Sequence, residues 1–218
     1  MKNIQKIAGI AALLEVAIYI SAFIFFGAFW NYPSDASTLQ KFAYLADNRV
    51  SLSIVNLTMY VIFGILLAVL VSAIHQRLKK NAPALSQLAA IFGVIWVCIV
   101  IASCMIANIG LNTVIALSLN EPEQAMTIWL TINAIVEGLG GGNEVVGGLW
   151  VVLLSIAALK INEFSRLFNY FGIFVGFTGI ATIYPAEVLT EIFGVSQLVW
   201  FTWIGVLMLL NPLQKIKN

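Results

Sequence analysis

The chain has 218 residues, of which 61% are hydrophobic and 10% are charged, and its mean hydropathy is +0.98. Because soluble domains are about 25% charged, this composition excludes an ordinary water-soluble globule and makes the lipid bilayer the expected partner. The formal net charge of +1 also excludes the basic surface on which nucleic-acid binding depends.

Six stretches approach the length and hydrophobicity of a membrane-spanning helix, which needs about 20 mostly apolar residues. In chain order they are residues 7–30, 50–74, 85–110, 143–159, 168–184 and 193–210. Lys2 and Lys6 precede the first stretch as in a signal peptide, but the stretch is too long and no small-residue cleavage motif follows it. We therefore predict an all-α fold, a polytopic bundle of six transmembrane helices that forms a single domain over residues 1–218.

The basic residues alternate with the six predicted spans. Nine of the eleven fall on one side of the membrane: Lys2, Lys6, Arg77, Lys79, Lys80, Lys160, Arg166, Lys215 and Lys217. Lys41 and Arg49 fall on the other side. Because cytoplasmic loops carry the excess of Lys and Arg, we predict that both termini are cytoplasmic, and we expect the membrane to be a bacterial inner membrane. An odd number of spans would break this alternation.

The predicted outer loop after the first span is not featureless. The stretch "SDASTLQKFAYLADNR" (34–49) begins with Ser and Asp, which favour helix N-caps, and spaces Leu39, Phe42 and Leu45 by three residues. This pattern predicts a short amphipathic helix that lies at the outer interface.

The glycine-rich stretch "VEGLGGGNEVVGGLW" (136–150) precedes the fourth predicted span. One helix over residues 125–159 would be about 52 Å long, against about 30 Å of hydrocarbon. Three consecutive glycines, residues 140–142, each destabilise a helix by about 1 kcal/mol relative to alanine. We therefore predict a short extracytoplasmic or re-entrant helix at about 125–138, a break, and a spanning helix from about 143. Asn143 is the expected N-cap, with Glu144 in the first turn.

Glu15 is the most deeply placed ionisable residue of the predicted spans, about 12 Å along the first helix. It shares one face with Ala8, Ala12, Tyr19 and Ala22, a small and polar stripe that we expect to face the bundle interior. An ionised glutamate at this depth is costly, so it is either protonated or paired. Two roles stay open, a hydrogen bond that holds a neighbouring helix and a site for a proton or a cation.

A second group of polar residues lies near the predicted outer ends of the helices. Glu137 and Glu144 flank the glycine break, and three asparagines lie close to the same membrane side: Asn56, Asn108 and Asn112. With Asn143 they are predicted to converge on one pocket that would suit a cation, an amine or a neutral polar head group. The alternative is an interhelical hydrogen-bond network that only holds helices together.

The sequence offers no pattern for a cofactor or a metal. His75 is the only histidine, so a bis-histidine haem or a histidine-rich metal centre is excluded in a single chain. No nucleophile–base pair, HExxH motif or phosphate-binding GxxxxGK[ST] motif is present. We therefore predict no cofactor, and an enzymatic activity is not favoured.

Four stretches resemble a bacterial family of six-span membrane proteins known only as a domain of unknown function. They are "NLTMYVIFGILLAVLV" (56–71), "FGVIWVCIVIASCMIANIGL" (92–111), "GLGGGNEVVGGLWVVLLSIAAL" (138–159) and "IFGVSQLVWFTWIGVLML" (192–209). The resemblance implies the six-span fold and carries no activity, cofactor or catalytic residue.

Three functions remain after these considerations. The favoured hypothesis is binding or transport of a small polar or cationic solute through a pocket in the outer half of the bundle. The second is an intramembrane enzyme that acts on a lipid or an isoprenoid, and the third is a non-catalytic partner or sensor subunit of a membrane complex.

Overall fold

The computed structural model of the chain describes residues 2–141 and 144–210, and every regular element within these ranges is helical. The helices are α1 (Lys2–Ile24), α2 (Thr38–Asp47), α3 (Arg49–Asn56), α4 (Phe63–Leu78), α5 (Pro83–Ser118), α6 (Pro122–Val136), α7 (Val145–Lys160), α8 (Arg166–Ala181) and α9 (Glu187–Leu210). Wider, π-helical turns extend α1, join α3 to α4 and extend α6: Phe25–Phe29, Leu57–Ile62 and Glu137–Gly141. The predicted all-α class is confirmed.

By the length and composition of the described residues, five stretches are long and apolar enough to cross a bilayer. They are Asn3–Phe29, Arg49–Leu78, Pro83–Ser118, Pro122–Lys160 and Glu187–Leu210. The fifth predicted span corresponds to α8, whose 16 residues rise about 24 Å, less than the hydrocarbon thickness of about 30 Å. The five long apolar stretches indicate a multi-pass membrane protein.

The amphipathic helix predicted after the first span is present as α2. The Ser37 hydroxyl accepts a hydrogen bond from the Gln40 backbone N–H, and Gln40 Oε1 accepts one from the Ser37 backbone N–H, which together form a capping box. Phe42 and Leu45 are buried, whereas Leu39 is exposed. The two buried side chains belong to a hydrophobic cluster with Leu52, Leu111, Val114 and Ala125.

The predicted break in the glycine-rich stretch is also confirmed. Gly140 has φ of 127°, a backbone conformation that residues with a Cβ rarely adopt. Asn143, the predicted N-cap of the following helix, lies outside the described residues. Glu144 was predicted in the first turn, but it is itself the N-cap residue of α7, and its side chain makes no capping hydrogen bond.

The chain divides into two compact units. Unit 1 consists of Met1–Ala17, Gly64–Cys98 and Gly142–Asn218, and unit 2 consists of Ile18–Phe63 and Ile99–Gly141. The core of unit 2 is the cluster under α2. Among the described residues, the core of unit 1 contains six large aromatic side chains, all fully buried: Trp96, Trp150, Phe168, Phe193, Trp200 and Phe201.

A seam of glycines brings α7 and α8 into backbone contact within unit 1. A Cβ added to Gly148 would lie 2.5 Å from the Gly176 carbonyl oxygen and 2.7 Å from the Ile180 nitrogen. A Cβ on Gly176 would lie 2.6 Å from the Gly148 carbonyl oxygen. These glycines have a packing role, because only residues without a side chain let two helices approach so closely.

We expect Gly148→Ala to lower the free energy of unfolding by about 1–3 kcal/mol, the usual cost of overpacking, because the atoms that the new methyl group meets are backbone and cannot rotate away. Gly27→Ala is the matched control, since a Cβ there meets no atom within 4 Å. The measurement is reversible unfolding in mixed micelles. Equal effects of the two substitutions would contradict the close seam.

Candidate functional site

Three of the predicted site residues lie together in unit 2. Asn56 Nδ2 donates a hydrogen bond to Asn108 Oδ1 at 2.9 Å. Asn108 Nδ2 donates to the Ser53 carbonyl oxygen at 3.3 Å, and Asn112 Nδ2 donates to the Asn108 carbonyl oxygen at 2.8 Å. These amides form a continuous hydrogen-bonded chain, hereafter the amide chain, which joins α3 to α5.

The spacing of the asparagines explains why they meet. Asn108 and Asn112 are four residues apart on α5, and Ser53 and Asn56 are three residues apart on α3, so each pair shares one helix face. Asn56 is buried, and a buried amide without a hydrogen-bond partner would cost about 1–3 kcal/mol. The amide chain therefore stabilises the packing of α3 on α5 and also fixes the orientation of its side chains.

An open cleft of about 440 Å³ lies beside the amide chain. Its lining residues are Arg49, Val50, Ser53, Ile54, Leu57, Asn108 and Asn112. Arg49, Ser53 and the two asparagines supply a polar wall. Val50, Ile54 and Leu57 follow the 4–3 spacing of one helix face and supply an apolar wall.

The cleft offers hydrogen-bond donors and one positive charge. Arg49 carries a guanidinium group, which stays protonated in proteins and presents five N–H donors in a planar fork. Amide groups of Asn108 and Asn112 stand beside it, and the described lining residues include no carboxylate. This chemistry favours a ligand with an anionic or carbonyl oxygen and an apolar portion.

Neither of the two glutamates near the glycine break is among the residues that line this cleft. Glu137 is exposed on the π-helical turn of unit 2. Glu144 is buried in unit 1, and one oxygen of its carboxyl group, Oε2, has no hydrogen-bond partner among the described residues. The indole of Trp96 lies next to the Glu144 carboxyl group.

The backbone at Glu144 is anchored to the end of α8. The Glu144 backbone N–H donates to Thr182 Oγ1 at 2.9 Å, and Thr182 Oγ1 donates in turn to the Gly179 carbonyl oxygen at 2.7 Å. One buried hydroxyl therefore satisfies a donor at the start of α7 and an acceptor near the end of α8, so that neither buried backbone group lacks a partner.

Glu15 is fully buried in unit 1, as the stripe of small residues around it predicted. Ala8 and Ala12 are buried on the same face of α1, and a Cβ on Gly9 would lie 2.8 Å from the carbonyl oxygen of Gly205 in α9. Neither carboxyl oxygen of Glu15 has a hydrogen-bond partner among the described residues. The hydrogen bond to a neighbouring helix, one of the two roles left open for Glu15, is therefore not seen there.

Sequence reasoning did not select Arg49 and Ser53 as site residues. The signal was present, since Arg49, Ser53 and Asn56 follow the 4–3 spacing of one helix face at the start of an apolar stretch. The Glu144–Thr182 contact had no such signal, because its partners are 38 residues apart and either could have paired elsewhere.

A scan against protein-family models, a search of curated proteins and a search of solved structures each found no match. The resemblance to a six-span bacterial family stays a prediction, and the site itself is the basis for a proposed function.

We expect Thr182→Val to lower the free energy of unfolding by about 1–3 kcal/mol, because it leaves the buried Glu144 N–H without an acceptor. Thr178→Val is the matched control on the same helix, since Thr178 makes only a local hydrogen bond to the Val175 carbonyl oxygen. Both can be measured by unfolding in mixed micelles. Equal losses for the two variants would contradict an anchoring role for Thr182.

Proposed function

We propose that this chain is an integral membrane protein that binds a small polar molecule in the Arg49 cleft, on the outer side of the membrane, and that binding serves either capture or transport. The observation that carries the proposal is the placement of a guanidinium group and two amides in an open cleft beside an apolar wall. Small-molecule sites commonly combine a mainly apolar lining with a few convergent polar groups.

The side chains that line the cleft restrict the charge of the ligand that it can bind. The sequence predicted a polar or cationic solute because Glu137 and Glu144 were expected in the same pocket as the asparagines. The described lining instead combines Arg49 with neutral side chains. A polar solute with an anionic or carbonyl group fits this lining better than a cation does, because a cation would meet the like charge of Arg49.

The proposed topology has six crossings with both termini in the cytoplasm of a bacterial cell. Contacts within unit 1 support it. The Gln5 side chain near the start of α1 donates to the Ala73 carbonyl oxygen near the end of α4 at 2.8 Å. Arg77 at the end of α4 forms a 2.8 Å ion pair with Glu163, which lies between α7 and α8. These helix ends belong to the loops in which the basic residues accumulate, as the positive-inside rule expects.

Binding in the cleft is tested by filling it. We expect purified wild-type protein to gain thermal stability from members of a panel of small carboxylates, phosphate esters and amides, and to gain none from amines. Ser53→Trp should abolish this gain because the indole would occupy the cleft. Ser51→Trp is the control, since Ser51 is exposed on the same helix and does not line the cleft. Stabilisation that Ser53→Trp retains would refute the proposed site.

The topology is tested with single cysteines in a background without the two native cysteines. We expect a membrane-impermeant maleimide to label Ser34→Cys and Glu187→Cys in intact cells, and to label Lys79→Cys and Asn162→Cys only after permeabilisation. All four native residues are exposed. Asn162 and Glu187 bracket α8, so identical labelling of these two positions would show that α8 does not cross the membrane.

A further inference from the structure

The polar wall of the Arg49 cleft continues into an exposed apolar strip. Val50, Ile54 and Leu57 are 65%, 58% and 46% exposed. On α5, Ile109 and Met105 are also exposed, and they lie one and two turns from Asn112 on the same helix face. A ligand that fills this cleft can therefore contact polar groups at one end and apolar side chains along the rest of its length.

The two apolar strips run in the same direction away from the polar end. The amide chain pairs Asn56 with Asn108, and Arg49 lines the cleft together with Asn112, so α3 and α5 are antiparallel here. From Arg49 to Leu57 the helix rises about 12 Å, and from Asn112 to Met105 it rises about 10 Å. This length is suited to the first part of an acyl chain.

The charge of the polar end specifies the head group. Lys41 and Arg49 are the only basic residues in the sequence of unit 2, and Lys41 does not line the cleft. In the part of the chain that the structure describes, Arg49 forms no ion pair. Arginine binds phosphate through two parallel N–H donors, and no carboxylate of the described lining would bind an ammonium group.

We infer that the ligand of the Arg49 cleft is an anionic phospholipid of the surrounding leaflet, whose phosphate binds Arg49 and Asn112 and whose acyl chain lies along Val50, Ile54 and Leu57. The inference rests on the proposed function, because it names the class of molecule that the cleft binds. A free phosphate would meet the same guanidinium group, but it would leave the apolar strip without a partner.

The test uses the purified full chain in mild detergent with two short-chain lipids, dioctanoyl phosphatidylglycerol and dioctanoyl phosphatidylcholine. Native mass spectrometry and thermal unfolding report binding. We expect phosphatidylglycerol to bind more tightly than phosphatidylcholine. Arg49→Gln should weaken its binding by about 10-fold or more, as expected for loss of a charged hydrogen bond. Lys41→Gln removes the same charge outside the cleft and should change the affinity by less than about 2-fold.

Two further measurements, one with cleft-filling variants and one with the head group alone, distinguish lipid binding in the cleft from binding of the phosphate by itself. Ser53→Trp keeps the charge of Arg49 and should also abolish phosphatidylglycerol binding, whereas Ser51→Trp should not, so this pair decides the matter if Arg49→Gln fails to fold. Glycerol phosphate, the head group alone, should bind at least 10-fold more weakly than the lipid.

Equal affinity for the two lipids, or equal losses for Arg49→Gln and Lys41→Gln, would overturn the phospholipid. Glycerol phosphate that binds as tightly as the lipid would also overturn it, but would keep the proposed function if Ser53→Trp abolishes that binding. If no lipid binds and small polar solutes still stabilise the protein in a manner that Ser53→Trp abolishes, only the lipid inference fails.

Discussion

The structure depends on satisfying backbone polar groups where a helix is interrupted in an apolar chain. A free N–H or C=O in hydrocarbon costs several kcal/mol, so the start of α7 needs a partner from another element. Thr182 supplies it by accepting from the Glu144 N–H and donating to the Gly179 carbonyl oxygen. The Gly179 carbonyl oxygen lies three residues before Thr182 and is a local acceptor, whereas the Glu144 N–H belongs to another element and is within reach because Gly148 and Gly176 let α7 and α8 approach at backbone distance. The glycine seam therefore supports the contact that satisfies the start of α7.

Each of the two units is stabilised by a different kind of internal contact. In unit 1, Trp96, Trp150 and Trp200 pack in series, with ring centroids 5.8 Å and 5.6 Å apart, and glycines accommodate them. Gly147, for example, lies against the Trp96 ring. In unit 2, the amide chain supplies directional bonds between α3 and α5. Hydrogen bonds of this kind contribute about 0.6 kcal/mol each in membrane proteins, so their main effect here is to fix which side chains line the cleft.

Features that depend on local sequence could be predicted, whereas most features that depend on contacts between distant elements could not. Hydropathy predicted the helices, and the glycine run predicted the break that Gly140 makes. The spacing of Leu39, Phe42 and Leu45 after a Ser and Asp cap signal predicted α2, although the N-cap is Ser37 and not Ser34 or Asp35. The convergence of Asn56 with Asn108 was predictable too, because an amide in an apolar helix needs a partner. The ion pair of Arg77 with Glu163 was missed, since the sequence of neither loop indicates which helix ends are adjacent. Helix ends were placed too early for α5, which continues to Ser118, because apolar windows stop where a helix leaves the hydrocarbon and not where its hydrogen bonds stop.

The location of the cleft follows from the cost of placing charge near lipid. Glu144, next to the glycine break, was predicted to line the pocket, but it is buried against Trp96 and is enclosed by protein. Arg49 is the first residue of α3, and a long basic side chain at a helix end keeps its charged group in the polar interface while its methylenes contact apolar surface. A ligand can reach that group without the desolvation that a buried carboxyl group would require. The glycines therefore allow α7 and α8 to pack closely. The charged group that a ligand can reach, the Arg49 guanidinium, lies instead where a long apolar stretch begins.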